Sequence, residues 1–198
     1  SSPPALGGNP DLKPERTMGG EVGLEHHFAA ARLEVGAGYF LNEYRDLVDF
    51  DFDLFVHVNR GRVRTQGVEM TARWQPHATL RLDAEVTWLD AEDLSGPPLL
   101  YEPRWLGGGG LTWQPSPAWS LRLFTRAVSE YLDHQIPVPD RDSVAGYGLI
   151  GFAGSWRFQR DWSVRARIDN LADRSHETLI GFPGPGRAFW VGLGWDRN

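Results

Sequence analysis

A period-two alternation of apolar and polar residues, sustained over runs longer than an ordinary strand, constrains this chain more than any other feature. Ala31, Leu33, Val35, Ala37, Tyr39 and Leu41 are apolar, with Arg32, Glu34, Gly36 and Gly38 between them. Leu80, Leu82, Ala84, Val86 and Trp88 alternate with Arg81, Asp83, Glu85 and Thr87. Trp162, Val164, Ala166 and Ile168 alternate with Ser163, Arg165, Arg167 and Asp169, and Phe189, Val191, Leu193 and Trp195 share a face opposite Gly192 and Gly194. Successive side chains of a strand point to opposite faces, so each run reads as a strand with one apolar and one polar face.

The same rule places about nine strands, near 17–28, 31–45, 56–75, 78–91, 104–115, 118–131, 146–159, 161–170 and 187–195. They exceed the five or six residues usual in globular proteins and reach the 9–11 tilted residues that cross a bilayer. Short connections at Ala29, Pro76-His77, Pro115-Ser116-Pro117 and Arg160-Asp161 alternate with longer ones at 46–55, 92–103, 132–145 and 171–186. Outer-membrane barrels have short periplasmic turns and long outer loops in this way. Of nine Trp, five (Trp74, Trp113, Trp119, Trp156 and Trp162) flank the short turns, and Trp195 lies at the same end of the last strand. That is the level of an interfacial aromatic girdle. Alternation by itself also suits a soluble antiparallel sandwich. Strand length, loop asymmetry and the girdle together favour an all-β, antiparallel, up-and-down transmembrane β-barrel segment.

Composition removes several alternatives. There is no Cys, so no disulfide framework and no thiolate metal site. A net charge of -6 argues against nucleic-acid binding, which needs a basic face. No stretch of 18 apolar residues suggests a membrane-spanning helix. The mean hydropathy of -0.39 is compatible with a membrane barrel, because only alternate residues face lipid. Ser1 to Pro10 has neither the basic nor the apolar region of a signal peptide. Single-chain bacterial barrels have even strand numbers, and lipid does not tolerate open sheet edges. Nine strands therefore read as part of a larger barrel.

Three segments resemble a known family. Asn9-Pro10-Asp11-Leu12-Lys13-Pro14-Glu15 matches the "NPxLKPE" segment of TonB-dependent receptors. Tyr44-Arg45-Asp46-Leu47-Val48, then Asn59 and Gly67-Val68-Glu69, look like that family's "Y.rDLI … N … GvE" strand pair. Asp169-Asn170-Leu171-Ala172-Asp173, followed by Gly181-Phe182-Pro183-Gly184-Pro185-Gly186-Arg187-Ala188-Phe189-Trp190, matches its terminal "NLfD … G.p.PGR.f..G" region. The resemblance implies a 22-stranded barrel around a plug. Residues 1–198 would be its C-terminal part, without the plug and the TonB box. It departs from the family in ending on Trp195-Asp196-Arg197-Asn198 rather than on an aromatic residue. The implied function is outer-membrane uptake, in a Gram-negative bacterium, of a scarce ligand such as a metal–siderophore complex or cobalamin. The implied partners are membrane lipid, the plug and remaining strands, the TonB system through the plug, and a small-molecule ligand. The alternative is a structural barrel or channel piece without gated transport.

Nothing in the spacing of residues suggests catalysis, a cofactor or a metal centre. His26 and His27 are adjacent in a strand and point to opposite faces, so they cannot share an ion. Asp49, Asp51 and Asp53 read mainly as one solvated loop face, although such oxygens can hold Ca²⁺. Gly107 to Gly110 lack the Lys and helix of a phosphate loop and suit a bend or a close approach. Gly67 suits a bend where the strand enters the membrane. Arg32, Glu34, Arg81, Asp83, Glu85, Arg122, Arg126, Arg165 and Arg167 fall on the lumenal face. In the outer loops Phe50, Phe52, Tyr101, Tyr131 and Phe182 are the candidate ligand contacts.

Overall fold

The long alternating runs pair into a single sheet. The computed structural model describes residues 9–51, 54–134 and 138–195. Its strands are β1 (Arg16–Phe28), β2 (Leu33–Asp51), β3 (Val56–His77), β4 (Leu80–Asp93), β5 (Trp105–Ser116), β6 (Trp119–Val128), β7 (Tyr131–Leu132), β8 (Ser143–Val144), β9 (Tyr147–Gln159), β10 (Trp162–Asp169), β11 (Glu177–Leu179), β12 (Phe182–Pro183) and β13 (Ala188–Trp195). Nine of them form one antiparallel sheet in the order β1-β2-β3-β4-β5-β6-β9-β10-β13. The short pairs β7-β8 and β11-β12 lie within the third and fourth loops. The sheet is open, with β1 and β13 each paired on one side only among the described residues.

The register shows that the apolar face is continuous. Phe28, Leu33, Trp74, Leu82, Leu111, Leu123, Phe152, Ile168 and Phe189 are successive cross-strand partners, one from each strand of the sheet. A slip by one residue would break this row, and on most strands it would turn a polar or small residue onto the apolar face. The row starts at the turn end of β1, and on β9 it crosses seven residues above the turn. The strands are therefore staggered, as closure into a tilted barrel requires.

Aromatic residues bound the apolar band. Next to the short turns the rings of Trp119 and Trp156 stack with centroids 5.3 Å apart, and Trp162 lies 6.5 Å from Trp195. At the other end Trp88 and Trp105 are direct cross-strand partners. On β4 the band runs from Leu80 to Trp88, which matches the 9–11 residues needed to cross a bilayer. Beyond Trp88 the same face turns polar. Gln66 donates to Asp90 at 2.9 Å, and Arg62 to Glu43 at 2.6 Å.

The opposite, polar face carries ion pairs that span strands. Arg73 on β3 donates to Glu34 on β2 at 2.7 Å. Arg122 on β6 reaches across β5 and grips both oxygens of Asp83 on β4 at 2.6 and 2.7 Å. Gly110 on β5 makes that reach possible, since a Cβ there would lie 2.4 Å from the guanidinium. Phe124 uses the same device. Its ring lies over Gly151 on β9 and meets Arg167 on β10 at 4.7 Å. Gly67 also serves close approach rather than a bend. A Cβ on it would lie 2.4 Å from the Trp88 carbonyl and 2.6 Å from the Phe40 ring.

Strand ends fall within three residues of the sequence expectation, with one correction. The stretch 46–55, expected as a loop, is mostly strand. Residues Leu47 to Asp51 pair with Arg60 to Val56 in a hairpin projecting past the membrane band. Alternation failed to reveal it because the strand changes face at Asp46, which has a left-handed φ of 55. Tyr44 and Leu47, and likewise Arg60 and Val63, line one cavity, although residues three apart on an unbroken strand cannot share a face.

Candidate functional site

The outer ends of the strands hold most of the buried core. Val63, Val128, Val144 and Ile180 are buried, together with the polar Asp93, Asp133 and Asn170. Among the described residues the loops close over one another, and polar groups hold the closure together.

The first hairpin is tied by Asn59. A left-handed Asp46 cannot keep its carbonyl in the ladder, so the Asn59 side chain donates to that oxygen at 2.6 Å. Asn59 also accepts from Lys13 N–H at 2.8 Å and donates to the Lys13 carbonyl at 3.1 Å, which copies a backbone pairing. Asn9 adds a bond to the His57 carbonyl at 2.8 Å. The fourth loop is tied in the same way. Asn170, buried and left-handed at φ 49, accepts from Arg174 N–H at 2.8 Å and donates to the carbonyls of Arg174 and Pro185 at 2.9 and 3.2 Å. Asp173 accepts from Arg187 N–H at 2.8 Å. The motif residues that carry the resemblance therefore bond to one another.

Asp133 joins three loops. Its carboxylate accepts from Ile180 N–H at 2.6 Å in the fourth loop and from the Tyr101 hydroxyl in the second. Tyr101 N–H donates to the Leu132 carbonyl at 2.9 Å. Burial, and then the negative charge of Asp133, push the Tyr101 phenol up to about 12. Arg141 pairs with Glu177 between the third and fourth loops.

Between the projecting hairpin and the second loop lies a cavity of about 390 Å³, lined by Tyr44, Phe50, Arg60, Leu100, Tyr101 and Glu102 among others. Arg60 bonds Asp49 and, at 3.2 Å, Asp93. Burial alone would raise the Asp93 carboxyl, but the Ser95 bonds and Arg60 outweigh it and hold it below its ordinary value. Burial raises the Glu102 carboxyl. The cavity thus presents aromatic and aliphatic walls, one fixed cation and carboxylates, a mixture suited to a small polar ligand with an apolar body.

Of the residues proposed from sequence, Phe50 and Tyr101 meet in this cavity. Tyr131 lies in the adjoining loop, where its hydroxyl donates to the Thr178 carbonyl at 2.6 Å. Phe182 is exposed on β12 and does not line the cavity. Phe52 lies outside the described residues, as does Asp53. Asp49 pairs with Arg60, and Asp51 caps the hairpin by accepting from Leu54 N–H at 2.8 Å. No group of three His, Cys, Asp or Glu residues able to hold a metal occurs among the described residues. Sequence reasoning missed Arg60, Asp93 and Asp133. For Arg60 and Asp93 the charge pattern near the strand ends was a usable signal, whereas Asp133 offered none.

Known proteins share this fold. A family model described as "TonB dependent receptor-like, beta-barrel" matches residues 1–171. Among solved structures, the ferric-catecholate import receptor Fiu of Escherichia coli K12 aligns with a TM-score of 0.75 at 17% identity, covering 96% of this chain and 30% of that one. The copper transporter OprC aligns at 0.79 and 24% identity, covering 94% and 31%. The ferripyoverdine receptor of the Pseudomonas aeruginosa outer membrane aligns at 0.74 and 16% identity, covering 93% and 27%. The chain thus spans about 30% of the length of these receptors and transporters, none of which is named as an enzyme. With the family model matched over most of its length and the barrel fold shared, the chain belongs to the TonB-dependent receptor family, as part of the β-barrel of a Gram-negative outer-membrane protein.

Proposed function

We propose that residues 1–198 are the C-terminal barrel part of a receptor that takes up a scarce ligand, such as a metal–siderophore complex or cobalamin. The outer loops capture the ligand, and a plug coupled to the TonB system, supplied by the rest of the receptor, drives its release inward. The observation that carries this reading is the cavity shared by Phe50 and Tyr101, set among interlocked loops beyond the membrane band. Relatives named for ferric catecholates, copper and ferripyoverdine support a metal-bearing ligand class.

Binding to the detergent-purified receptor, read by quenching of its intrinsic fluorescence, tests this reading. A panel of ferric catecholate, ferric hydroxamate, copper and cobalamin probes should contain at least one that binds. Phe50→Ala and Tyr101→Ala should each weaken that probe about tenfold or more, the loss expected for a buried aromatic contact. Absence of binding across the panel, with variants indistinguishable from the parent, would favour a structural barrel without gated transport.

A further inference from the structure

On the first three strands the lipid-facing side leads, beyond its apolar band, into arginine. On β1 Arg16 follows Met18 and Gly20 on the same face, and on β2 Glu43 and Arg45 follow Leu41. On β3 Arg64 and Arg62 follow Gln66. The register aligns these residues. Arg16 is the cross-strand partner of Arg45, and Arg45 of Arg62. Three arginines thus stand in one row across β1, β2 and β3. Arg64 lies one step nearer the membrane, opposite Glu43.

Like charges directly opposite one another destabilise a sheet, so the row calls for negative charge. Glu43 supplies some of it, accepting from Arg62 at 2.6 Å and from Arg45 at 3.5 Å. On β4 Glu92 is the cross-strand partner of Arg64, and Asp90 accepts from the Gln66 amide. Arg16 and Arg64 form no ion pair among the described residues. The Arg45 and Arg62 side chains remain 67% and 49% exposed, open to a further anion. This cationic row belongs to a chain whose net charge is -6.

The second observation is position. Arg16 and Arg45 line, with Met18, Gly20 and Leu41 among others, a concavity of about 530 Å³. Guanidinium groups therefore adjoin apolar side chains at the outer edge of the membrane band. That arrangement suits a molecule with an anionic head at the interface and a tail in hydrocarbon. Guanidinium forks match phosphate oxygens.

We propose that the outer ends of β1, β2 and β3 form a docking site for a phosphate-bearing glycolipid of the outer leaflet. Arg16, Arg45 and Arg62 hold the phosphate, and Met18 and Leu41 flank the acyl chains. The site lies on the lipid face, outside the ligand cavity, and does not depend on the uptake reading.

Binding of fluorescent diphosphorylated lipid A and of its dephosphorylated form to the detergent-purified full receptor, read by anisotropy, tests the site. The parent should bind the phosphorylated probe about tenfold more tightly or better, and high salt should cut that preference several-fold. Arg16→Gln, at a residue with no ion pair to lose, should reduce the preference about fivefold. Adding Arg45→Gln should bring the two probes to near parity, whereas Arg81→Gln on the lumenal face should keep the parent preference. Equal binding of both probes by the parent would overturn the proposal. So would an unchanged preference in the arginine variants, or full displacement of the lipid by excess inorganic phosphate.

Discussion

Asp133 shows how much a single buried carboxylate can organise. Asp133→Ala leaves the Ile180 N–H unpaired in a buried position, a loss of about 1–3 kcal/mol. Amide hydrogen exchange should accelerate around residues 178–181 while the strands below keep their protection. Unchanged exchange there would refute the latch. Tyr101 adds a pH dependence. In the unfolded chain its phenol ionises near 10, and in the folded loops at about 12. Between these values the open loops lose the proton first, so loop stability falls as pH rises from 10 to 12. Tyr101→Phe should flatten that fall, as followed by loop exchange or by proteolysis across the alkaline range. Gly110 sets a steric condition on the polar face. Gly110→Val should push Arg122 off Asp83, so that the coupling of residues 83 and 122 in a double-mutant cycle drops towards zero. The parent coupling is itself small, about 1 kcal/mol or less for a pair this exposed.

At the scale of elements, the β2–β3 hairpin depends on one side chain for its change of face. Asn59→Ala removes the bonds to Asp46 and Lys13, at about 1 kcal/mol each. Limited proteolysis should then cut within residues 46–60 well before the membrane band is attacked, whereas equal resistance would show that the hairpin holds without Asn59. This element also marks the boundary of what the sequence discloses. Strands such as β4 were legible because Leu80 to Trp88 alternate without interruption and both faces have a defined environment. The end of β2 was not, because a left-handed residue breaks the period, and beyond it the apolar Val48 and Phe50 face the polar Asn59 and His57 across the pair. Within the site, Phe50 and Tyr101 stood out as aromatics in loops. The contact of Asp133 with Ile180 joins residues 47 apart through irregular backbone, and no periodicity encodes such a pairing.

For the whole molecule, the two unpaired edges dominate. β1 and β13 present rows of backbone donors and acceptors that find no partner among the described residues, and such edges recruit other strands. Residues 1–198 in isolation should therefore associate in detergent, giving species larger than 22.2 kDa on sizing and cross-linking. A monodisperse monomer would mean that the edges are shielded.

The slanted apolar row has a further consequence. It climbs about one residue per strand, roughly 3.3 Å of advance for every 4.8 Å of width, which corresponds to an inclination of about 35°, within the range of outer-membrane barrels. The sheet is in effect a sector of a screw thread. The lead of a thread is common to every turn, so no hairpin can be recut alone. Deleting two residues from one strand would displace the Trp collars of all later strands by about 6.6 Å along the chain direction. Selection at any one strand is thus tied to the pitch of the whole cylinder.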